Sequence, residues 1–264
     1  MSYFNGAVYS EILNMDTSMS VILPQDSRWH RGIIPLAPGI KPAGRPKTLI
    51  LLHGLTDNWV AWAHRSRIYS YAEYYDVAVL IPEVQRSFYQ DMKNGSSYFT
   101  YITEELPRLA AEMFHISTDP EDLMIAGMSM GGYGALLCGL TDPGKYRAVG
   151  AFSSVCDMEQ FVTKIPVRKE TRGLERDVRG IFGEERLLPK TSDLKYLAGL
   201  RETEKNFPQI YMACGKQDEL YEQNVELEQE LEKMSPEFSW EAWEGFHDWD
   251  FWDVAIQKFL KKYV

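Results

Sequence analysis

The residues of this chain that could do chemistry are a serine, a histidine and an acid. Gly127-Met128-Ser129-Met130-Gly131 is a G-x-S-x-G pattern, set between an apolar run beginning at Leu123 and the small-residue stretch Gly131-Gly132-Tyr133-Gly134-Ala135. A serine held at a tight strand-to-helix turn sits in a strained backbone conformation, so the positions two before and two after it must lack bulk. Gly127 and Gly131 meet that need. The start of the following helix would then aim backbone N–H groups at any anion forming beside Ser129 Oγ. This context predicts a serine nucleophile; the plainer reading is an ordinary turn between a strand and a helix.

Such a serine needs a base to take its proton and an acid to hold that base in one tautomer. Of the five histidines only His247 follows Ser129. In the chain order serine, acid, histidine, the base is therefore His247, presented after Glu244-Gly245-Phe246. The acid is expected at Asp218, which follows the apolar run 208–214 through Gly215-Lys216-Gln217; Glu219 beside it is the alternative. Asp248, Asp250 and Asp253 crowd His247 in sequence, but neighbours at a helix start rarely reach back to orient the ring. A tetrahedral oxyanion needs two fixed N–H donors. The amide of Met130 is one, and that of Leu55, in His53-Gly54-Leu55, is the other. His53 itself is read as shaping that loop. Trp59, Trp62, Tyr221 and Trp249, with Trp252, cluster near these positions in sequence, and the first four are candidates to line a substrate cleft.

The elements that must present these groups alternate. Lys47–Leu52, Val77–Pro82, the opening of the strand and elbow at 122–137, Ala148–Ser153 and Pro208–Cys214 are short apolar runs, as expected of strands covered on both faces. Phe238–Trp243 alternates as a last strand. Amphipathic stretches at 60–74, 96–114, 221–234 and 250–262 read as helices, with Pro107 predicting a kink or a late start in the second. Residues 7–13 and 18–23 read as an N-terminal hairpin turning at Asn14-Met15-Asp16, and 25–46 as an open loop rich in proline and glycine. Strands alternating with helices mean a mostly parallel sheet with helices on both faces and the antiparallel hairpin at one edge. Residues 157–206 break the alternation and read as an insertion over one end of the sheet, held by few apolar anchors, chiefly Phe161, Val162, Ile165, Leu174, Ile181, Phe182, Leu187 and Leu188. Its Arg168, Lys169, Arg172, Arg176 and Arg179 read as a solvated face.

At 264 residues the chain is read as one domain, 1–264, carrying that cap at about 157–206. A net charge of −10 argues against nucleic acid or an anionic membrane as a partner. No secretory signal and no transmembrane run is visible, and the three widely spaced cysteines lack metal-ligand spacing. A cytoplasmic protein with reduced thiols is expected; a homo-oligomer is compatible with the chain.

His53-Gly54-Leu55, Gly127-Met-Ser-Met-Gly-Gly-Tyr-Gly134, Gly215-Lys-Gln-Asp218 and His247-Asp-Trp-Asp-Phe-Trp252 together resemble the esterase D family of α/β-hydrolases, over nearly the full length. Within it the chain looks most similar to bacterial tributyrin esterases and feruloyl or acetyl esterases. The resemblance implies the α/β-hydrolase fold, short acyl esters as small-molecule substrates, no metal or other cofactor, and Ser129, Asp218 and His247 as a triad. The reading is thus a serine carboxylesterase for acetyl to butyryl esters, carbohydrate esters included. The alternatives are a thioesterase of the S-formylglutathione hydrolase type, or a catalytically silent relative that only binds.

Overall fold

A computed structural model of the chain describes residues 1–25, 36–40, 44–164, 172–204, 207–234 and 238–264. Most of the loop expected at 25–46 lies outside the described residues, as do Ile165, Arg168 and Lys169. Eight strands form one sheet in the order β1-β2-β4-β3-β5-β6-β7-β8. They are β1 (Ser2–Ser10), β2 (Met15–Leu23), β3 (Lys47–Leu52), β4 (Val77–Pro82), β5 (Leu123–Met128), β6 (Ala148–Phe152), β7 (Ile210–Gly215) and β8 (Phe238–Trp243). β1 pairs with β2 and β2 with β4 antiparallel, whereas all pairs from β4 to β8 are parallel.

The parallel strands are buried on both faces because their apolar runs do not alternate. In β3, Ile50 and Leu52 join one core while Leu49 and Leu51 join the other. The first core is closed by the helices at 98–113, 130–141, 194–204 and 221–234. The second is closed by Ala61–Arg65, Ile68–Tyr75 and the terminal helix Trp249–Tyr263. Register then decides where the site falls. Leu52 stands opposite Gly127, Met128 opposite Phe152, Phe152 opposite Ala213 and Gly215 opposite Trp243. The carboxyl ends of five strands therefore line up, and the loops carrying His53, Ser129, Ser153, Asp218 and His247 leave along one edge. The strand order reverses around β3, with β4 on one side and β5 on the other, which opens a crevice at this place.

The hairpin is longer than expected and turns earlier. Ser10 pairs with Met15, so residues 11–14 form the turn, closed by Asn14 at φ 53°. Leu13 is buried as an anchor at the tip, its N–H held by Ser10 Oγ at 3.0 Å, and Glu11 N–H donates to the buried Glu105 carboxylate at 2.8 Å. β1 extends through polar residues because an edge strand is held by its ladder and needs no apolar alternation. Pro107 stands at the start of the last α-helical segment, in line with the expected late start. A π turn, Tyr101–Glu105, precedes the last segment Leu106–Met113, so the missing proline N–H falls in that segment's first turn, where it has no acceptor to lose.

Residues 157–206 contain the helices Met158–Lys164, Arg172–Phe182 and Leu194–Glu204, and a short 3₁₀ turn at Lys190–Ser192. They are better anchored than the sequence implies. Beside the expected anchors Val162, Ile181 and Phe182, the residues Val178, Leu194, Leu197 and Ala198 are buried. A closed ring of hydrogen bonds, Gln90 Nε2 to Tyr133 OH at 2.8 Å, Tyr133 OH to Ser192 O at 2.7 Å and Ser192 Oγ to Gln90 Oε1 at 2.7 Å, pins the segment to the loop after β4 and to the helix after Ser129.

Candidate active site

Ser129 stands between β5 and the helix Met130–Thr141 with φ 56° and ψ −118°, a conformation that costs a non-glycine residue on the order of 1–3 kcal/mol. It is over-determined by its surroundings. Ser129 N–H donates to Phe152 O at 2.9 Å, and its carbonyl accepts from Val155 N–H at 3.3 Å and Tyr133 N–H at 3.1 Å. A Cβ on Gly131 would stand 2.5 Å from Leu52 O, and one on Gly127 2.5 Å from the Gly131 carbonyl, so neither position admits a side chain.

The structure brings Ser129, His247 and Asp218 into one hydrogen-bonded row. Ser129 Oγ lies 3.0 Å from His247 Nε2, and His247 Nδ1 lies 3.0 and 2.9 Å from the two carboxylate oxygens of Asp218. The carboxylate only accepts, so Nδ1 carries the proton and Nε2 is free to accept from the serine hydroxyl. Burial pushes the Asp218 carboxyl up, but hydrogen bonds from His247 and Leu220 N–H, with the Ser153 hydroxyl nearby, outweigh it and hold the pKa below the usual carboxylate value. Glu219, the sequence alternative, is exposed at the mouth of the site. The two loops that carry acid and base are laced together. Gln217 N–H donates to Gly245 O at 3.0 Å, Gly245 N–H to Gln217 Oε1 at 2.7 Å and Lys216 N–H to Trp243 O at 2.9 Å.

Leu55 and Met130 line the cavity that holds Ser129. Neither N–H donates to a protein acceptor among the described residues. The Leu55 loop is fixed from behind: Tyr89 OH donates to His53 O at 2.9 Å, and His53 Nδ1–H to Gly54 O at 2.8 Å. His53 Nε2 accepts from Val84 N–H at 3.3 Å. Both ring nitrogens of this fully buried histidine are occupied, so it shapes the loop.

Two cavities meet at Ser129 and His247. One, of about 380 Å³, is lined chiefly by Leu55, Phe88, Met130, Val155, Phe161 and Leu174, with Asp157, Gln160 and Gln223 among its polar groups. The other, of about 430 Å³, is lined by Thr56, Asp57, Arg65, Asp248, Trp249 and Trp252 among others. Of the four aromatic residues expected to line a cleft, only Trp249 lines either of these two cavities. Trp62 is fully buried with its Nε1–H on Leu52 O at 2.9 Å. It forms the back of an edge-to-face series running Trp62–Trp249 at 5.0 Å, Trp249–Trp252 at 5.3 Å and Trp252–His247 at 5.0 Å, which buttresses the imidazole. Trp59 donates to Asn5 Oδ1 on the hairpin, and Tyr221 packs toward Trp240; neither lines the two cavities. Sequence reasoning missed Phe88. It sits in a loop where it and Tyr89 both adopt positive φ, 49° and 55°, and no periodic pattern marks such a position. Phe161 and Leu174 were expected only as anchors of the cap, yet they face the serine.

Cys138, Cys156 and Cys214 are free and buried, and burial pushes the Cys138 and Cys156 thiols up to about 12. None offers a thiolate. Among the described residues no group of three or more side chains could hold a metal ion, and no helix is long and apolar enough to cross a membrane.

Residues 10–263 match the family model Esterase, described as "Putative esterase". The chain belongs to this esterase family. An acetyl esterase of Caldicellulosiruptor saccharolyticus is 32% identical over 254 residues, covering 94% of this chain and 92% of that protein. Among solved structures, the fluorophosphonate-binding serine hydrolase F of Staphylococcus aureus superposes with a TM-score of 0.84 at 28% identity, covering 99% of this chain and 97% of that one. The S-formylglutathione hydrolase of the same organism gives 0.81 at 28%, covering 99% and 98%. The fold is that of the α/β-hydrolases, and this esterase is a serine-dependent carboxylic ester hydrolase acting on small-molecule acyl esters.

Proposed function

We propose that this esterase cleaves short acyl esters, acetyl to butyryl, through a covalent acyl-enzyme on Ser129, within a single α/β-hydrolase domain capped by 157–206. The observation that carries the reading is the row Ser129–His247–Asp218 standing at the meeting of an apolar and a polar cavity. Ser129 Oγ attacks the ester carbonyl while His247 Nε2 takes its proton. The developing oxyanion is received by the N–H groups of Leu55 and Met130. His247 then returns the proton to the leaving alkoxide, the acyl group stays on Ser129, and a water activated by the same nitrogen releases the acid. Asp218 keeps His247 in the required tautomer throughout.

The acyl group is assigned to the cavity walled by Phe88, Phe161 and Leu174. The Phe88 and Phe161 rings lie 4.6 Å apart and narrow it, and a long alkyl chain would be driven against Asp157, Gln160 and Gln223. The alcohol is assigned to the cavity of Asp57, Arg65, Asp248 and Trp249, whose mixture of charge and aromatic surface suits a hydroxylated alcohol such as a sugar. The likeness to an S-formylglutathione hydrolase over nearly the whole chain supports a second reading, a thioester substrate. The test is kcat/KM across nitrophenyl esters of two to twelve carbons, acetylated sugars and S-formylglutathione, beside fluorophosphonate labelling with the adduct mapped. A maximum at two to four carbons with the label on Ser129 is expected. A maximum at eight carbons or beyond overturns the short-acyl reading, and a strong preference for S-formylglutathione selects the thioesterase.

A further inference from the structure

Three carbonyl oxygens in succession fix the loop that carries the Leu55 N–H. Those of His53 and Gly54 are held from within the sheet domain, by Tyr89 OH and by His53 Nδ1–H together with Asp57 N–H at 3.1 Å. The third, Leu55 O, accepts from Arg86 Nη1 at 3.3 Å, and the same guanidinium places Nε 2.7 Å from Asp177 Oδ2. Asp177 belongs to the helix Arg172–Phe182, whose Leu174, one turn earlier, lines the cavity beside Ser129. The far end of that helix is tied to the chain segment that carries Arg86, since Lys93 N–H donates to Ile181 O and Asn94 N–H to Gly180 O, both at 2.9 Å. Arg86 is thus the one side chain in these contacts that reaches both the Leu55 loop and the cap.

We propose that Arg86 is a positioning residue: through Asp177 it holds the Leu55 carbonyl, and with it the loop, in register with the cap helix, so that the Leu55 N–H keeps its place at the oxyanion. The Leu55 N–H shares its planar peptide with Gly54 O, which sets its direction, while Arg86 holds the following peptide through Leu55 O; with both peptides flanking Leu55 tied, the loop cannot tilt away from Ser129. The pair is partly exposed, with the Arg86 side chain 41% and Asp177 12% accessible. An ion pair so placed adds little to stability. Its effect is therefore expected in the reaction and not in the fold. The inference rests on the acyl-transfer reading above, in which Leu55 supplies an oxyanion donor.

The test uses the full chain as Arg86→Ala, Arg86→Lys, Asp177→Asn and the Arg86→Ala/Asp177→Asn double variant. Each is measured for kcat and KM on nitrophenyl acetate, for affinity toward an alkyl boronic acid that forms a tetrahedral adduct on serine, and for thermal unfolding. Losing one oxyanion donor costs about 10²–10³ in kcat, and a donor left in place but free to tilt is expected to cost about tenfold. Arg86→Ala should therefore lose about tenfold in kcat, with KM within about twofold and boronate affinity falling in parallel with kcat. Asp177→Asn should lose less, Arg86→Lys should recover part of the loss, and the double variant should be no worse than Arg86→Ala. Unchanged kcat and boronate affinity in Arg86→Ala overturn the proposal, as do losses that multiply in the double variant. Should Arg86→Ala fail to fold, unchanged kcat in Asp177→Asn overturns it alone. Ser129→Ala separates the two layers. If that variant still turns over ester, the acyl-transfer reading falls; if it is inactive while Arg86→Ala is normal, only this inference falls.

Discussion

The two sides of Ser129 are built from different parts of the chain. On one side Phe88, Phe161 and Leu174 come from the loop after β4 and from two helices of the cap, and the surface is mostly apolar. On the other side Thr56, Asp57, Asp248 and Trp249 come from the loops after β3 and β8, which leave the sheet directly, and the surface is charged. The groups proposed to react, standing between them, belong to neither. Ser129, Asp218 and His247 are set by strand register, glycine contacts and loop-to-loop hydrogen bonds, and would stand as they do with another cap. The difference teaches that the row Ser129–His247–Asp218 and the cavity walls are separable here, whereas the Leu55 donor is tied to 157–206 through Arg86, and each substitution below should touch the row or one wall without the other.

The largest effects are expected where the two sides share machinery. Ser129→Ala and His247→Ala should each lower kcat on the order of 10⁶-fold for every ester alike, because triad members act as a unit. Asp218→Asn should cost about 10⁴-fold. Since the Asp218 pKa is held below the usual carboxylate value, this group keeps its charge, and with it the His247 tautomer, to lower pH than an ordinary aspartate would. The part of the rate that depends on this charge should therefore be present above the usual carboxylate range and be lost only as the pH falls through the lowered Asp218 value. An acid limb that Asp218→Asn shares unchanged with wild type in that range would show that the charge of Asp218 plays no part, and the electrostatic account of the acid would fail.

An intermediate effect is expected on the apolar side alone. Phe161→Ala removes one wall of the narrowing against Phe88. Each methylene accommodated in a pocket changes selectivity by about 1–3 kcal/mol, so the octanoyl-to-acetyl ratio of kcat/KM should rise about tenfold or more. Preference among alcohols at constant acyl group should not move. An unchanged chain-length profile would mean that the acyl group lies in the polar cavity, inverting the comparison.

How much of this was legible in sequence follows the same division. β3 to β7 and the elbow could be read because a strand buried on both faces must be apolar throughout, and because the glycine contacts at 127 and 131 leave no alternative residue. His247 followed from being the one histidine after Ser129, and the burial of Asp218 against the exposure of Glu219 agrees with the loop-length argument. The cavity walls were not legible. Trp62 and Trp249 stand near the site in sequence and are equally aromatic, yet one is buried on a backbone carbonyl and the other faces the cleft; only tertiary packing decides that. Phe88 reaches the serine because its loop runs through positive φ, and the cap is anchored by the ring of Gln90, Tyr133 and Ser192, residues distant in sequence. The hairpin was misplaced for a related reason: an edge strand is specified by its ladder, which leaves no apolar pattern to read.

The smallest effect tests the charged side. Asp57 is half-buried, its carboxylate oxygen 4.0 Å from Arg65 Nη1, and Arg65 lies over the Trp249 ring at 6.0 Å. Burial raises the Asp57 pKa, and the pull of Arg65 and His53 in the opposite sense is too weak to cancel it. This carboxyl therefore takes its proton at a higher pH than an ordinary aspartate as the solution is acidified. If the leaving alcohol occupies this cavity, an ester of a cationic alcohol such as choline should gain over a neutral ester of the same acyl group while Asp57 is charged, and lose that gain as it protonates. Two charges several ångströms apart in a cleft open to solvent and salt interact by about 0.5–1 kcal/mol, so the ratio of the two kcat/KM values should change about two- to fivefold. Taking the ratio cancels any acid limb that both substrates share. Asp57→Asn should give the low ratio at every pH while leaving the chain-length profile intact. A wild-type ratio that is flat with pH and equal to that of Asp57→Asn would place the alcohol elsewhere, and the charged cavity would have no part in choosing it.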